Sequence, residues 1–487
     1  MMADLLAARA RELALLMTRV PSVTGSAVEA AFPAQLAQLL NLEKVWIKAV
    51  PGDPAGRSNL FALKRGRSNR TIVLTGHFDV VSVEDYGALQ PLAFDPERLL
   101  PATVQRLKQT GENSLALSDF ESGEFLPGRG LLDMKAGLAA GLSVMEVYAG
   151  EATLVFIGVA DEEEKSAGAR AAVPQLKQLA ADEELDIALV INLDAIADKG
   201  DGAAARVVTY GSIGKQLLTA FVVGQQTHAG YPQNGVNAAY VLSELVREIE
   251  LSPELSEVTE SEMAAPPATL FAKDLKQGYN VTTPHRAFAY WNTMQHRRSG
   301  AEVLDIAMLH ATRAVARAET KTGHAIALRR VSDFPALQTV GLDESQSLPE
   351  QGLQALLAMT ASLDEPTVIM GFGSIPYPAV LLRDQVLRRK IGNAVRRHGL
   401  GEVNYFAGIS DMSFFGEASG DLSVVAANTP IWNSGFVMPE PANYPTINIG
   451  PWGRDYHTWL ERLHAPYAFE ILPRVLLSVI EEVAKKS

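Results

Sequence analysis

Nine histidines and no cysteine occur among 487 residues, so a protein metal site here would draw on imidazole and carboxylate alone. Three short apolar runs each lead into such groups. Residues 71–76 (TIVLTG) precede His77-Phe78-Asp79. Residues 152–160 (ATLVFIGVA) precede Asp161-Glu162-Glu163-Glu164. Residues 186–193 (DIALVINL) precede Asp194. Almost wholly apolar runs of this length read as strands buried on both faces of a parallel sheet. In open α/β sheets, ligands bind beyond the carboxyl ends of the strands. Three strands would then deliver a histidine and several carboxylates to one rim. Each group alone has a plainer reading, since an acidic run after a strand often opens a helix at its positive dipole end. His77 and Asp79 point to one side if the chain stays extended. That spacing suits a ligand His steadied by a second-layer carboxylate, and equally a structural His–Asp hydrogen bond. The turn Gly128-Arg129-Gly130-Leu131-Leu132-Asp133 differs from a dinucleotide fingerprint where Asp133 replaces the third glycine. A carboxylate there would repel a pyrophosphate, which excludes nucleotide binding. Asp133 could cap a helix or reach a metal from a glycine-flanked turn.

The elements that hold these groups follow from hydrophobic spacing. Helical patterns at 134–148 and 167–180 alternate with the apolar strands, which predicts an α/β fold: a mostly parallel sheet flanked by helices. Residues 83–127 read as loop with one short helix. The texture changes near Gly211. A half-exposed antiparallel strand (215–225), a helix (237–250), a loop-rich stretch (251–285), a strand (286–295), a helix (302–319) and a strand (324–331) suggest an inserted α+β domain. Pro-rich segments, a helix at 384–399 and a last helix after Pro466 follow. The expected organisation is a first catalytic part (1–211), an inserted domain (212–331) and a second catalytic part (332–487).

Composition narrows the function. Lys plus Arg is 43 against 56 for Asp plus Glu, a net charge of −13. A field of that sign disfavours nucleic acid and anionic membrane as partners. Hydrophobic residues at 47% and charged residues at 20% suit a soluble globular chain with a large core. Near the start, Leu5, Leu6, Leu13, Leu16 and Met17 recur at helical spacing among Arg9, Arg11 and Glu12. This reads as an amphipathic helix and not a secretion signal. No window reaches the roughly 20 apolar residues of a membrane span. A cytoplasmic protein is expected.

Taken together, the segments resemble the zinc metallopeptidase family of aminoacylases, acetylornithine deacetylases, carboxypeptidase G and the di- and tripeptidases (clan MH). The similarity runs in order from Pro21-Ser22-Val23-Thr24-Gly25 and Ser58-Asn59-Leu60 through GHFDV, GRGLLDMKAG, ADEEEKSAGAR and the Asp after VINL. It continues with Thr227-His228-Ala229-Gly230 and Gly408-Ile409-Ser410-Asp411, and ends at His457-Thr458-Trp459-Leu460-Glu461. The length and the phrase INIGPWGRDYHTW look most like the arginine-utilisation branch.

The resemblance implies a zinc-exopeptidase-like sheet whose inserted domain serves as lid and dimerisation surface in a homodimer. It implies two zinc ions per chain, with Mn²⁺ or Co²⁺ as possible substitutes. His77 and Asp194 would bind one ion, Glu163 and His457 the other, and Asp133 would bridge them. Glu162 would be the general base and Asp79 would orient His77. His228 would stabilise the oxyanion from the partner subunit. Asn280 and Ser410 match substrate-side positions. His464 competes with His457 but lacks a Glu four residues later, which His457 has in Glu461. Many members carry Asp-x-Arg where this chain has Trp291-Asn292-Thr293-Met294, so the Arg that grips a substrate carboxylate is absent there. Arg297 or Arg298 could replace it, or the substrate could lack that carboxylate. The implied activity is hydrolysis of an amide bond in a small peptide or N-acyl amino acid. The rival is a catalytically silent relative that binds such a ligand as a regulator, and an intact Glu162 argues against it.

Overall fold

A computed structural model of the chain describes residues 2–42, 44–259, 262–335, 341–343, 346–406, 408–418 and 420–485. The three apolar runs lie side by side. Arg70–His77 pairs in parallel with Thr153–Val159 on one side and Asp186–Asn192 on the other. An eight-stranded sheet extends from them in the order Lys44–Ala49, Ser58–Lys64, Thr153–Val159, Arg70–His77, Asp186–Asn192, Thr446–Asn448, Val207–Thr209, Gly401–Val403. Its central strands are buried on both faces, which explains why their sequences do not alternate. The fold is thus mixed α/β with a largely parallel centre.

The helix Ala136–Val147 is rich in alanine and glycine because it lies hard against this sheet. A Cβ on Gly137 would stand 2.0 Å from the carbonyl oxygen of Leu193. That carbonyl immediately precedes Asp194, so the bare helix surface seats the end of the strand carrying a candidate ligand. Gly137→Ala is expected to lower stability by about 1–3 kcal/mol, the usual cost of overpacking. A urea unfolding curve with unchanged slope and midpoint would refute the close seating.

Residues 83–127 are more ordered than expected. They form a 3₁₀ segment (Glu84–Leu92) and two α-helices, Pro96–Thr110 and Ser114–Ser122. Asp95 caps the first helix at Arg98 N, with Pro96 at its first position and left-handed Gly111 at its end. Asn113 and Gly123 bound the second. These stop signals are legible one by one. The polar faces between them obscured the helices.

Two compact units share the chain. The first comprises Met1–Ser212, Val380–Glu417 and Pro439–Ser487, and the second Ile213–Ala379 and Ala418–Met438. The second unit therefore extends past the expected end at residue 331. Its five-stranded sheet runs Ala268–Asp274, Arg286–Gln295, Gly214–Val223, Thr367–Phe372, Ala327–Arg330. Thr367–Phe372 is inserted between two earlier strands, pairing antiparallel with one and parallel with the other. Flanking prolines disguised this strand in the sequence. Gly214–Val223 is also more buried than an alternating pattern suggests. Leu218, Ala220 and Val222 pack with residues of the helices Ala238–Ile249 and Gly300–Thr322. On the opposite face, Phe221 and Val223 pack with Leu356 of Leu348–Met359. Among the described residues, no helix is long and apolar enough to cross a membrane.

Candidate metal centre

The strand Arg70–His77 delivers His77 almost fully buried. Its Nδ1 donates to the backbone carbonyl of Asp79 at 3.0 Å. That bond leaves Nε2 as the nitrogen with a lone pair to offer. Nε2 lies 3.2 Å from Asp133 Oδ1 and 3.9 Å from both Glu162 Oε2 and Asp194 Oδ1. His457 approaches from the other side, its backbone in the left-handed region at φ 62°. Its Nε2 lies 3.2 Å from Asp133 Oδ2 and 3.1 Å from Glu163 Oε1. Asp133 therefore presents one oxygen to each imidazole.

This concentration of charge perturbs every member. Burial pushes the Glu162 and Asp194 carboxyls well above their usual range and raises Glu163 as well. For Asp133, burial acts upward, but hydrogen bonds from His457 and His77 outweigh it and hold the carboxyl below its usual range. Burial alone would lower both imidazoles. The charge of Glu162 and the contact with Asp133 carry His77 well above its ordinary value, and hydrogen bonds to Asp133 and Glu163 carry His457 up to about 10. Four carboxylates and the buried His77, with the exposed His457 beside them, are the groups a cation would satisfy. Oxygen and imidazole donors without sulfur suit Zn²⁺, and also Mn²⁺ or Co²⁺. Ligand atoms of His77, Asp133 and Glu163 all lie within 4.8 Å of one another.

Asp79 meets His77 through its backbone carbonyl, while its carboxylate serves another segment. Its carboxylate stands 3.7 Å from His77 Nδ1. It accepts the backbone N–H groups of Glu162 at 3.1 Å and Glu163 at 3.2 Å, and the Thr24 hydroxyl at 2.9 Å. The strand ends at His77, so two-residue alternation does not reach Asp79. Its carbonyl orients the ring, and its carboxylate fixes the turn carrying the two glutamates. Glu164, in contrast, is 55% exposed beside Lys165.

The Ser410 hydroxyl is buried and accepts from Asn192 Nδ2 at 2.9 Å and Met412 N at 3.3 Å, an internal role. Its neighbour Asp411 is buried and pushed up to about 7 by desolvation, and its charge raises Glu162 in turn. Lys135 is buried with Nζ donating to the carbonyl of Val20 at 2.8 Å, and desolvation lowers it to about 7. No local spacing marked either one. His464 stacks on Trp452 at 4.7 Å, with its Nε2 3.6 Å from Glu124.

His228 and Asn280 belong to the second unit and lie on neighbouring segments there. His228 bridges to Thr282, and Asn280 Oδ1 accepts from Thr282 N at 3.2 Å. His228 is exposed, and its Nδ1 accepts the Gly230 N–H at 3.0 Å. A neutral ring fixed in that way carries its proton on Nε2.

The sequence profile of "Peptidase family M20/M25/M40" matches residues 73–428. The chain belongs to this family. M20 proteins of this kind are metallopeptidases and amidohydrolases, and the present chain is a metal-dependent amide hydrolase. The uncharacterized protein YqjN of Bacillus subtilis is 32% identical over 98% of this chain and 96% of its own. Protein RocB of the same organism is 27% identical over 90% and 86%. A solved tripeptidase of Staphylococcus aureus shares the fold at TM-score 0.56 and 17% identity, covering 99% of each chain. His457 lies beyond the span of the M20 match.

Proposed function

We propose that this M20 protein cleaves an amide bond in a small peptide or N-acyl amino acid, using two zinc ions per chain. The observation that carries the reading is Asp133, whose two oxygens face His77 and His457 separately. His77 and Asp194 would hold one ion, Glu163 and His457 the other, with Asp133 between them. Mn²⁺ or Co²⁺ could stand in. Bound zinc would supply a water acidified toward neutrality and a polarised substrate carbonyl.

The chain's own groups do the rest. Glu162 neighbours a ligand yet is left free, so it can accept a proton and pass it to the leaving amine. Asp79 holds its backbone in place. His228 presents Nε2–H, the donor an oxyanion needs. In this reading the second unit is also the lid and the surface of a homodimer, with His228 and Asn280 serving substrate.

Metal analysis of the purified protein, joined to a screen of dipeptides and N-acyl amino acids, tests the proposal. Two zinc equivalents per chain are expected, with hydrolysis abolished by dialysis against a chelator and restored by zinc. Full turnover in the chelated protein would overturn it.

A further inference from the structure

Glu461 stands four residues after His457. It is fully buried, and its carboxylate meets the glycine turn that leads to Asp133. Its Oε1 accepts backbone N–H groups from Gly130 at 2.9 Å, Leu132 at 3.3 Å and Asp133 at 3.5 Å. Its Oε2 accepts Nη1 of Arg129 at 2.7 Å. Arg129 is itself 1% exposed and anchored outward, with Nε on the Ser82 carbonyl at 3.1 Å and Nη2 on Asp85 at 2.9 Å. The segments carrying Asp133 and His457 are joined just beside this point, where Arg462–His464 pairs with Phe125–Pro127.

We propose that Glu461 is a positioning residue of the metal centre, setting Asp133 through the amides of its turn, with Arg129 holding the carboxylate in place. The inference rests on the two-zinc reading above. A carboxylate offers acceptors to both sides, three amides on one oxygen and a guanidinium on the other. A glutamine keeps one acceptor and aims an N–H₂ at donors on the other side. The turn then shifts or leaves donors unpaired. Asp133 is shared between the ions in this reading, so its displacement weakens both of them. A disturbance confined to the loop of His457 would weaken one.

The test titrates metal-free full-length protein with Zn²⁺ against a chromophoric chelator, and with Co²⁺ while following its visible absorption. Glu461→Gln is expected to lose about 10–100-fold in affinity for both equivalents, the usual cost of removing a group that orients a ligand. Its cobalt spectrum should shift, a change that a role in packing alone would not produce. Two equivalents bound with wild-type affinities and spectrum would overturn the inference and leave the two-zinc reading standing. Loss confined to one equivalent would also overturn it. A wild type that takes up no zinc would overturn both. Should Glu461→Gln fail to fold, Asp85→Asn decides the matter at the outer end of the clamp, where the side chain is 36% exposed. A smaller loss in both equivalents is expected, and unchanged affinities would overturn the proposal.

Discussion

Glu162→Gln should retain its metal and lose a factor of about 10²–10⁴ in turnover, the usual worth of a general base. Glutamine matches glutamate in shape, so the buried turn held by Asp79 keeps both of its backbone hydrogen bonds. Glu162 makes no hydrogen-bond-length contact with His77, whose Nε2 lies 3.9 Å away. Glu163, by comparison, stands 3.1 Å from His457. Removing one buried charge from a group of four also lessens their mutual repulsion. Metal content by elemental analysis and kcat on whichever substrate the screen identifies are the two measurements needed. Near-normal kcat would remove Glu162 from the mechanism. Asp133→Ala supplies the contrast: it should release both ions, and two tightly held zincs in that variant would deny the bridging role.

His228→Ala should cost about 10²–10³ in rate, the usual worth of an oxyanion donor. Its recovery by a second inactive chain is the more telling result. If each active site borrows His228 from a partner subunit, mixing His228→Ala with Glu162→Gln creates heterodimers in which one of two sites has both groups intact. Activity should rise well above either parent once subunits have exchanged. Two affinity tags show whether exchange has occurred. Heterodimers that stay inactive would confine His228 to its own chain. A strict monomer at working concentration would end the in-trans reading altogether. The exposed ring and its Nδ1 bond to Gly230 suit a donor waiting for a partner, since Nε2–H is left outward without rotation of the ring.

What could be read in advance followed chemistry that repeats along the chain. The α/β class was legible because three buried strands wrote themselves as unbroken apolar runs, each ending in a metal-ligand type. The position of His77 followed from that pattern. His457 had no such strand, and only resemblance distinguished it from His464. The unread parts share one cause: contacts made far along the chain leave no local period. Thr367–Phe372 sits between prolines, and its pairing with Gly214–Val223 and Ala327–Arg330 assigns it to the second unit. Glu461 gained its place from a turn 331 residues earlier, at Gly130. Lys135 and Asp411 are charged residues in burial, which spacing cannot announce.

The late arrival of Thr446–Asn448 has a consequence for how the protein is made. This strand pairs with Asp186–Asn192 on one side and meets Val207–Thr209 on the other. At synthesis rates of about 5–20 residues per second, on the order of 10–50 s separate the emergence of residue 192 from that of residue 446. A sheet that forms during that interval lacks the neighbour of Asp186–Asn192 and so has an open edge beside Asp194. Such an edge is a template for pairing with another chain. Ribosome stalling within the second unit would lengthen the exposure, and slower elongation should therefore favour inclusion bodies over active protein unless a chaperone occupies the edge.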